Sequence, residues 1–227
     1  MKKYFYLFII LLVSSNAFAD TNNYKSISKI EMDVLRNGEK IGFSNYIFKY
    51  ENDEMEVKNK TEFEVKLLGV NLLSIKSNSI EKYKKNKLYY FNSKTIQNKK
   101  KKFVKLKLNE NTNKFIIDGS SFKGETDTDK VIGNWWNINI LSVNSQISPL
   151  SGSVKEQVVK LIGSETIVID DKSYETLKYR LKSKNQNLPE DKKLDFEIWL
   201  DTEKGLLVKI SYERMGKWEY ILNNYRK

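Results

Sequence analysis

Neither cysteine nor histidine occurs in the 227 residues, and proline occurs only twice. Without histidine there is no Ser-His-Asp or Cys-His relay and no histidine-bearing zinc or iron site. Without cysteine, thiol nucleophiles, thiolate metal sites and disulfides go as well, so the fold must stand on its core alone. A Gly-rich phosphate loop, a G-x-S-x-G elbow and an S-x-x-K nucleophile are also missing. Carboxylates remain, but a glycosidase-like pair would have to converge in a cleft. Asp195, Glu197 and Asp201 instead share one alternating face of a strand, opposite a greasy one, which is the pattern of a solvated surface. The acidic set Glu125, Asp127 and Asp129 lacks the further oxygens and the bidentate glutamate of a calcium site, so a plain loop is expected there. Together these absences predict a protein that is not an enzyme and holds no cofactor and no metal.

Arginine is scarce too. The formal charge is +11, yet Arg36, Arg180, Arg214 and Arg226 are the only arginines, and every other basic residue is lysine. Bidentate phosphate recognition favours arginine, so nucleic acid is not an expected partner. An anionic envelope surface stays open as a partner through the lysines. The run Lys99–Lys102 reads first as a solvated turn that discourages edge-to-edge strand pairing, and second as a lipid or glycan dock.

What is present begins with a leader. Lys2 and Lys3 precede an apolar run from Tyr4 to Val13, and Ser14-Ser15-Asn16-Ala17-Phe18-Ala19 follows before Asp20. A basic start, a short apolar core and a small-x-small ending describe a cleavable secretory signal. The run is too short to span a bilayer, which takes about twenty residues. Residues 1–19 are expected to be a signal peptide cut after Ala19, and residues 20–227 a single periplasmic β-rich domain. No later segment is apolar enough to span, so an integral membrane protein is not expected.

From Tyr24 onward two-residue alternation dominates. Ile30, Met32 and Val34 fall on one face, and Asn37-Gly38 follows, the strongest short hairpin signal. Tyr46, Phe48 and Tyr50 return, then Val57, Thr61, Phe63 and Val65. Asn71 to Lys85 has no single clean register, with Leu73, Ile75 and Ile80 as its apolar contributors. Val104, Leu106 and Leu108 alternate with Lys105 and Lys107. Val154 to Ile162 fits either a helical stripe or a strand, and its β-branched content favours the strand. Leu194, Phe196, Ile198 and Leu200, then Leu206, Val208, Ile210 and Tyr212, then Trp218, Tyr220 and Leu222 close the pattern. The chain therefore reads as mainly all-β, an antiparallel meander of about 11–13 strands curled into a half-barrel or open barrel.

One stretch breaks the alternation: Gly133 to Gly152, GNWWNINILSVNSQISPLSG. A short helix or loop lid around 129–152 is expected to cross the open sheet, with one tryptophan as the plug. Trp136 is the better candidate, because Ile138 and Ile140 continue its face in an extended register while Trp135 leads to Asn137 and Asn139. An apolar ligand such as an acyl chain, held in the concave face, would meet Trp135, Trp136, Phe196, Ile198, Val208, Ile210, Trp218 and Tyr220. The same residues serve equally as ordinary core. A protein acting through its basic face or a sheet edge is the alternative.

Asn37-Gly38-Glu39-Lys40-Ile41-Gly42, the pair Trp136-Asn137, Gly163, and Ile198-Trp199-Leu200-Asp201 followed by Gly205-Leu206-Leu207-Val208-Lys209 resemble an uncharacterised family of exported proteobacterial domains. That resemblance implies a periplasmic all-β domain without assigned activity. In outline, a curled sheet with a lid is also similar to periplasmic lipoprotein carriers and related lipid-binding folds, an analogy at the level of fold alone.

Overall fold

Two-residue turns with both central residues at positive φ suit the right-handed twist of paired strands, and this chain uses them repeatedly: Asn37-Gly38, Lys85-Asn86, Asn98-Lys99 and Asp170-Asp171 all adopt them. The computed structural model describes residues 24–227. The expected signal peptide and its expected cut after Ala19 lie outside the described residues.

The first meander comprises β1 (Lys29–Arg36), β2 (Glu39–Glu51), β3 (Glu54–Leu67), β4 (Val70–Lys84), β5 (Lys87–Gln97), β6 (Lys100–Asn109), β7 (Lys114–Gly119) and β8 (Lys123–Asp127). The crossing segment holds β9 (Val131–Ile132), a 3-10 turn (Ile138–Leu141) and β10 (Ser145–Ile147). The second meander comprises β11 (Val154–Ile169), β12 (Lys172–Ser183), β13 (Asp195–Asp201), β14 (Leu207–Glu213) and β15 (Lys217–Arg226). All fifteen strands form one sheet, in the order 8-7-6-5-4-3-2-1-15-14-13-12-11-10-9. Pairing of β1 with β15 welds the two meanders together. Only the β9–β10 pair is parallel.

β8 and β9 sit at opposite edges of the sheet, yet only Thr128–Lys130 separate them in sequence. Four Cα steps span at most about 15 Å, so the sheet must curl until its edges nearly meet. The result is an all-β, barrel-like sheet that does not close by hydrogen bonds. Fifteen strands exceed the expected 11–13 because three short ones carry no alternation. Lys123–Asp127, read as a loop, is β8: an edge strand pairing with β7 needs no apolar face of its own. Val154–Ile169 is a strand throughout.

The crossing segment folds inside this curl. Ile132, Trp136, Ile140 and Ile147 are all fully buried. Asn137 accepts a bond from the Asn139 backbone N–H at 3.0 Å and so starts the 3-10 turn. Gln157 of β11 holds the segment from below, donating to the Ile140 and Val143 carbonyls at 2.8 and 3.0 Å. At its exit Gly152 adopts φ +80° and packs against the bare Cα of Gly119, 3.2 Å from where a Cβ would stand. A larger residue at either position would wedge the segment off β7.

Two placements differ from the sequence reading. On β4 the inward residues are Ile75, Ser77, Ser79, Glu81 and Tyr83, while Ile80 faces outward and is half-buried. On β13 Trp199 and Asp201 are buried rather than solvated. The reason is the length of the β11–β12 hairpin, which curls over the outer face of β13. Glu165 reaches across to accept from Trp199 Nε1 at 2.6 Å, and the Lys178 and Lys209 ammonium groups flank the same ring at 4.7 and 5.1 Å.

Candidate functional site

Trp136 is 1% exposed and sits among three rings, each edge-on to it: Tyr24 at 5.2 Å, Phe48 at 5.4 Å and Tyr83 at 5.8 Å. This geometry sets ring edges against ring faces, as the aromatic quadrupole prefers. Its Nε1–H donates to Glu81 Oε1 at 2.9 Å. Asn134 Nδ2 donates to the same oxygen at 2.5 Å, and the Tyr83 hydroxyl donates to Oε2 at 2.5 Å. Glu81 is therefore a latch, carried by the sheet and gripped by two side chains of the crossing segment. It is 1% exposed, and among the described residues no cation faces it. Burial pushes its carboxyl above the usual range, against the opposing pull of the three donors. The Tyr46 hydroxyl, which accepts from the Trp135 backbone N–H at 3.3 Å, is pushed up to about 12, chiefly by burial.

Above the latch the inward face of β2–β5 turns polar over two rows. Ser44 pairs with Thr61 at 2.7 Å and Ser77 with Thr95 at 2.7 Å. Asn59 donates to Ser44 at 3.2 Å, and Ser93 donates to the Pro149 carbonyl at 2.5 Å. These hydroxyls saturate one another and tie down the segment's exit, so they act as structural polar core.

Below the latch, at the end of the barrel where the β4–β5 and β6–β7 turns lie, a cavity of about 760 Å³ opens. Tyr83, Leu88, Leu108, Phe115, Val131 and Val143 give it apolar walls, and Asn86, Asn113, Asn137, Asn139 and Asn144 ring it. Asn139 is one of these lining residues, and its Oδ1 is buried without a hydrogen-bond partner. Tyr83 belongs to both features: its ring lines the cavity and its hydroxyl closes on Glu81. Among the described residues no group of three carboxylates is placed to hold a metal ion.

The eight residues singled out from the sequence divide into four places. Trp136 is the plug just described, in a turn rather than an extended register. Trp135 is half-buried and meets Phe196 at 5.0 Å and Tyr220 at 6.1 Å. Ile198, Val208 and Ile210 are fully buried in the main core, and Trp218 packs on Phe63 at 5.6 Å in a second, smaller cluster. None of the eight lines the 760 Å³ cavity. Sequence reasoning missed the walls of that cavity. Its one trace was Leu88-Tyr89-Tyr90-Phe91, apolar on both faces, while the asparagines of the ring looked like ordinary turn residues.

Comparison with known proteins adds the fold and a family. A family model described as a domain of unknown function (DUF6134) matches residues 32–223. No curated protein matches. Among solved structures, a "beta-barrel-like" protein of the domain of unknown function DUF1849 from Brucella abortus aligns with a TM-score of 0.60 at 10% identity, over 87% of this chain and 96% of that one. A DUF1329 family protein from Desulfovibrio piger aligns over 91% and 88% at 11% identity, with a TM-score of 0.25. At such identity the first likeness speaks to the fold alone. No helix among the described residues is long and apolar enough to cross a membrane.

Proposed function

The chain belongs to the DUF6134 family, and for this member we propose a non-enzymatic binding module, exported through its leader to the periplasm, that holds a small amphipathic ligand. The ligand has an apolar body and at least one hydrogen-bond donor. The observation that carries this reading is the 760 Å³ cavity with apolar walls and a ring of asparagines. A volume in the range of about 300–1,000 Å³ and apolar walls are what small-molecule sites have in common. The donor meets the asparagine ring; the apolar body lies against Tyr83, Leu88 and Phe115. The concave face itself is occupied by Trp136 and its neighbours, so the ligand site lies at the barrel's end rather than in its middle. Glu81 gives its lone pairs to three donors, which supports binding over carboxylate catalysis.

The test is extraction of natively purified protein with organic solvent, followed by mass spectrometry, together with a cavity-filling variant. Val143→Trp places a large ring in the cavity without disturbing a fully buried residue. Wild type should release a stoichiometric small molecule, or bind an environment-sensitive fatty-acid probe, and Val143→Trp should lose at least about 90% of either, since filling the pocket removes the apolar contact area. Equal probe binding by the two proteins would refute the site.

A further inference from the structure

Among the described residues, eight hairpin turns place a non-glycine residue at positive φ, a conformation that costs an L-residue energy and that Asn, Asp or Gly tolerate best. Six of these turns begin their left-handed stretch with Asn, Asp or Lys. The two exceptions are Leu68 (φ +50°) and Met215 (φ +51°). Leu68 is 96% exposed and Met215 83%. Their apolar side chains are therefore neither conformationally favoured nor buried where they stand.

Both exceptions crown the same end of the barrel, opposite the cavity. Antiparallel alternation puts the β1–β2, β3–β4, β5–β6 and β14–β15 turns together there. Asn37 exchanges bonds with Lys217 at 2.8 and 2.9 Å, and Asn98 clips the β3–β4 hairpin by accepting from Ser74 N at 2.7 Å and donating to the Leu72 carbonyl at 3.2 Å. Pairing of β3 with β2 stops at Phe63, and pairing of β4 with β5 starts at Ile75. Residues 64–74 therefore pair only with one another, as a two-stranded finger. Val65 and Leu73 still pack on the cluster of Phe63 and Trp218, and residues 66–72 project beyond it, with Val70 and Leu72 exposed beside Leu68 at the tip. Next to the clip stand Lys99, Lys100 and Lys101, all exposed and forming no ion pair among the described residues. On the finger and at its base the lysines are paired, Lys66 with Glu64 and Lys76 with Glu62, so the free positive charge at this place comes from the adjacent run.

We propose that this end docks on an anionic lipid bilayer, with Leu68, Val70 and Leu72 entering the interface and Lys99–Lys101 meeting the headgroups. Projection, exposed apolar groups in an unfavoured turn and unpaired positive charge beside them fit that one surface. A bilayer interface takes up apolar side chains, and an anionic one adds attraction for each lysine near it. The proposal does not depend on the cavity, which lies at the other end.

Sedimentation with vesicles tests it. The protein should partition onto phosphatidylglycerol-containing vesicles and far less onto pure phosphatidylcholine. Leu68→Asn suits the left-handed turn, so it should keep or raise thermal stability while lowering partitioning by about tenfold or more, the effect of withdrawing one leucine from an apolar phase. Changing Lys99, Lys100 and Lys101 together to Gln should cost about a hundredfold on the anionic vesicles alone, taking each lysine as about fivefold. Val168→Asn, which removes an exposed apolar residue on β11, should change nothing. Partitioning unaffected by Leu68→Asn overturns the proposal, as does equal partitioning onto neutral vesicles. A change of oligomeric state in Leu68→Asn, read by light scattering, also overturns it and assigns the tip to contact between copies.

Discussion

Truncating Trp136 tests whether the crossing segment is the keystone of the sheet. The ring is 1% exposed and contacts Tyr24, Phe48 and Tyr83 edge-on at 5.2–5.8 Å. Loss of a buried tryptophan to alanine costs about 3–5 kcal/mol. The cavity left here cannot collapse easily, because Phe48 and Tyr83 stand on paired strands, β2 and β4, and another wall is the segment that the indole itself holds. Glu81 Oε1 keeps Asn134 as a partner but loses the Trp136 N–H, which adds to the cost. In a domain of this size about 4 kcal/mol corresponds to a fall in Tm of roughly 8–16 °C. Trp135→Ala, from a half-buried position against Phe196 and Tyr220, should cost about 1–2 kcal/mol. Thermal and urea denaturation followed by far-UV circular dichroism measure both without relying on tryptophan fluorescence. Equal losses, or a larger one from Trp135→Ala, would refute the assignment of the plug. Trp136→Phe then isolates the hydrogen bond, keeping most of the ring contacts and removing the donor.

Glu81→Gln should reshape the pH dependence of stability. Burial raises the Glu81 carboxyl in the folded state above its ordinary 4.5. The native state then holds the proton more tightly than the unfolded chain, so this stabilisation is full below pH 4.5 and is lost as pH rises through the folded value. Glutamine has no proton to lose, so the variant should gain on wild type above pH 4.5, by at most about 1.4 kcal/mol per pH unit. Parallel stability–pH curves for the two proteins count against a raised Glu81. Gly42→Ala should destabilise by about 2–3 kcal/mol through overpacking, because a Cβ there would lie 2.1 Å from the Glu62 carbonyl oxygen of β3; a midpoint of urea unfolding unchanged from wild type would show that β2 and β3 can part at no cost.

Much of the fold was legible because period-2 alternation and turn chemistry are local. Asn37-Gly38 can be read as a hairpin from two residues, and the alternation of β13, β14 and β15 assigns their inward faces unaided. Trp136 was separable from Trp135 by the apolar residues that follow it, although the segment turns at Ile138 instead of running extended. Local pattern fails where an inward face is polar. Ser77 and Ser79 point inward on β4 opposite Asn59, Thr61, Ser93 and Thr95, and Glu81 points inward to meet Asn134 and Trp136 of the crossing segment, partners that no one-dimensional reading brings together. The same holds for Asp201 and Trp199, buried only because a distant hairpin folds over them. Composition and alternation by themselves determined an all-β sheet with a crossing plug and no histidine or cysteine chemistry. Curvature decided the rest: bringing two edges of a fifteen-strand sheet within a three-residue link buried the Glu81 latch, opened the cavity at one end, and left Leu68 and Met215 exposed together at the other.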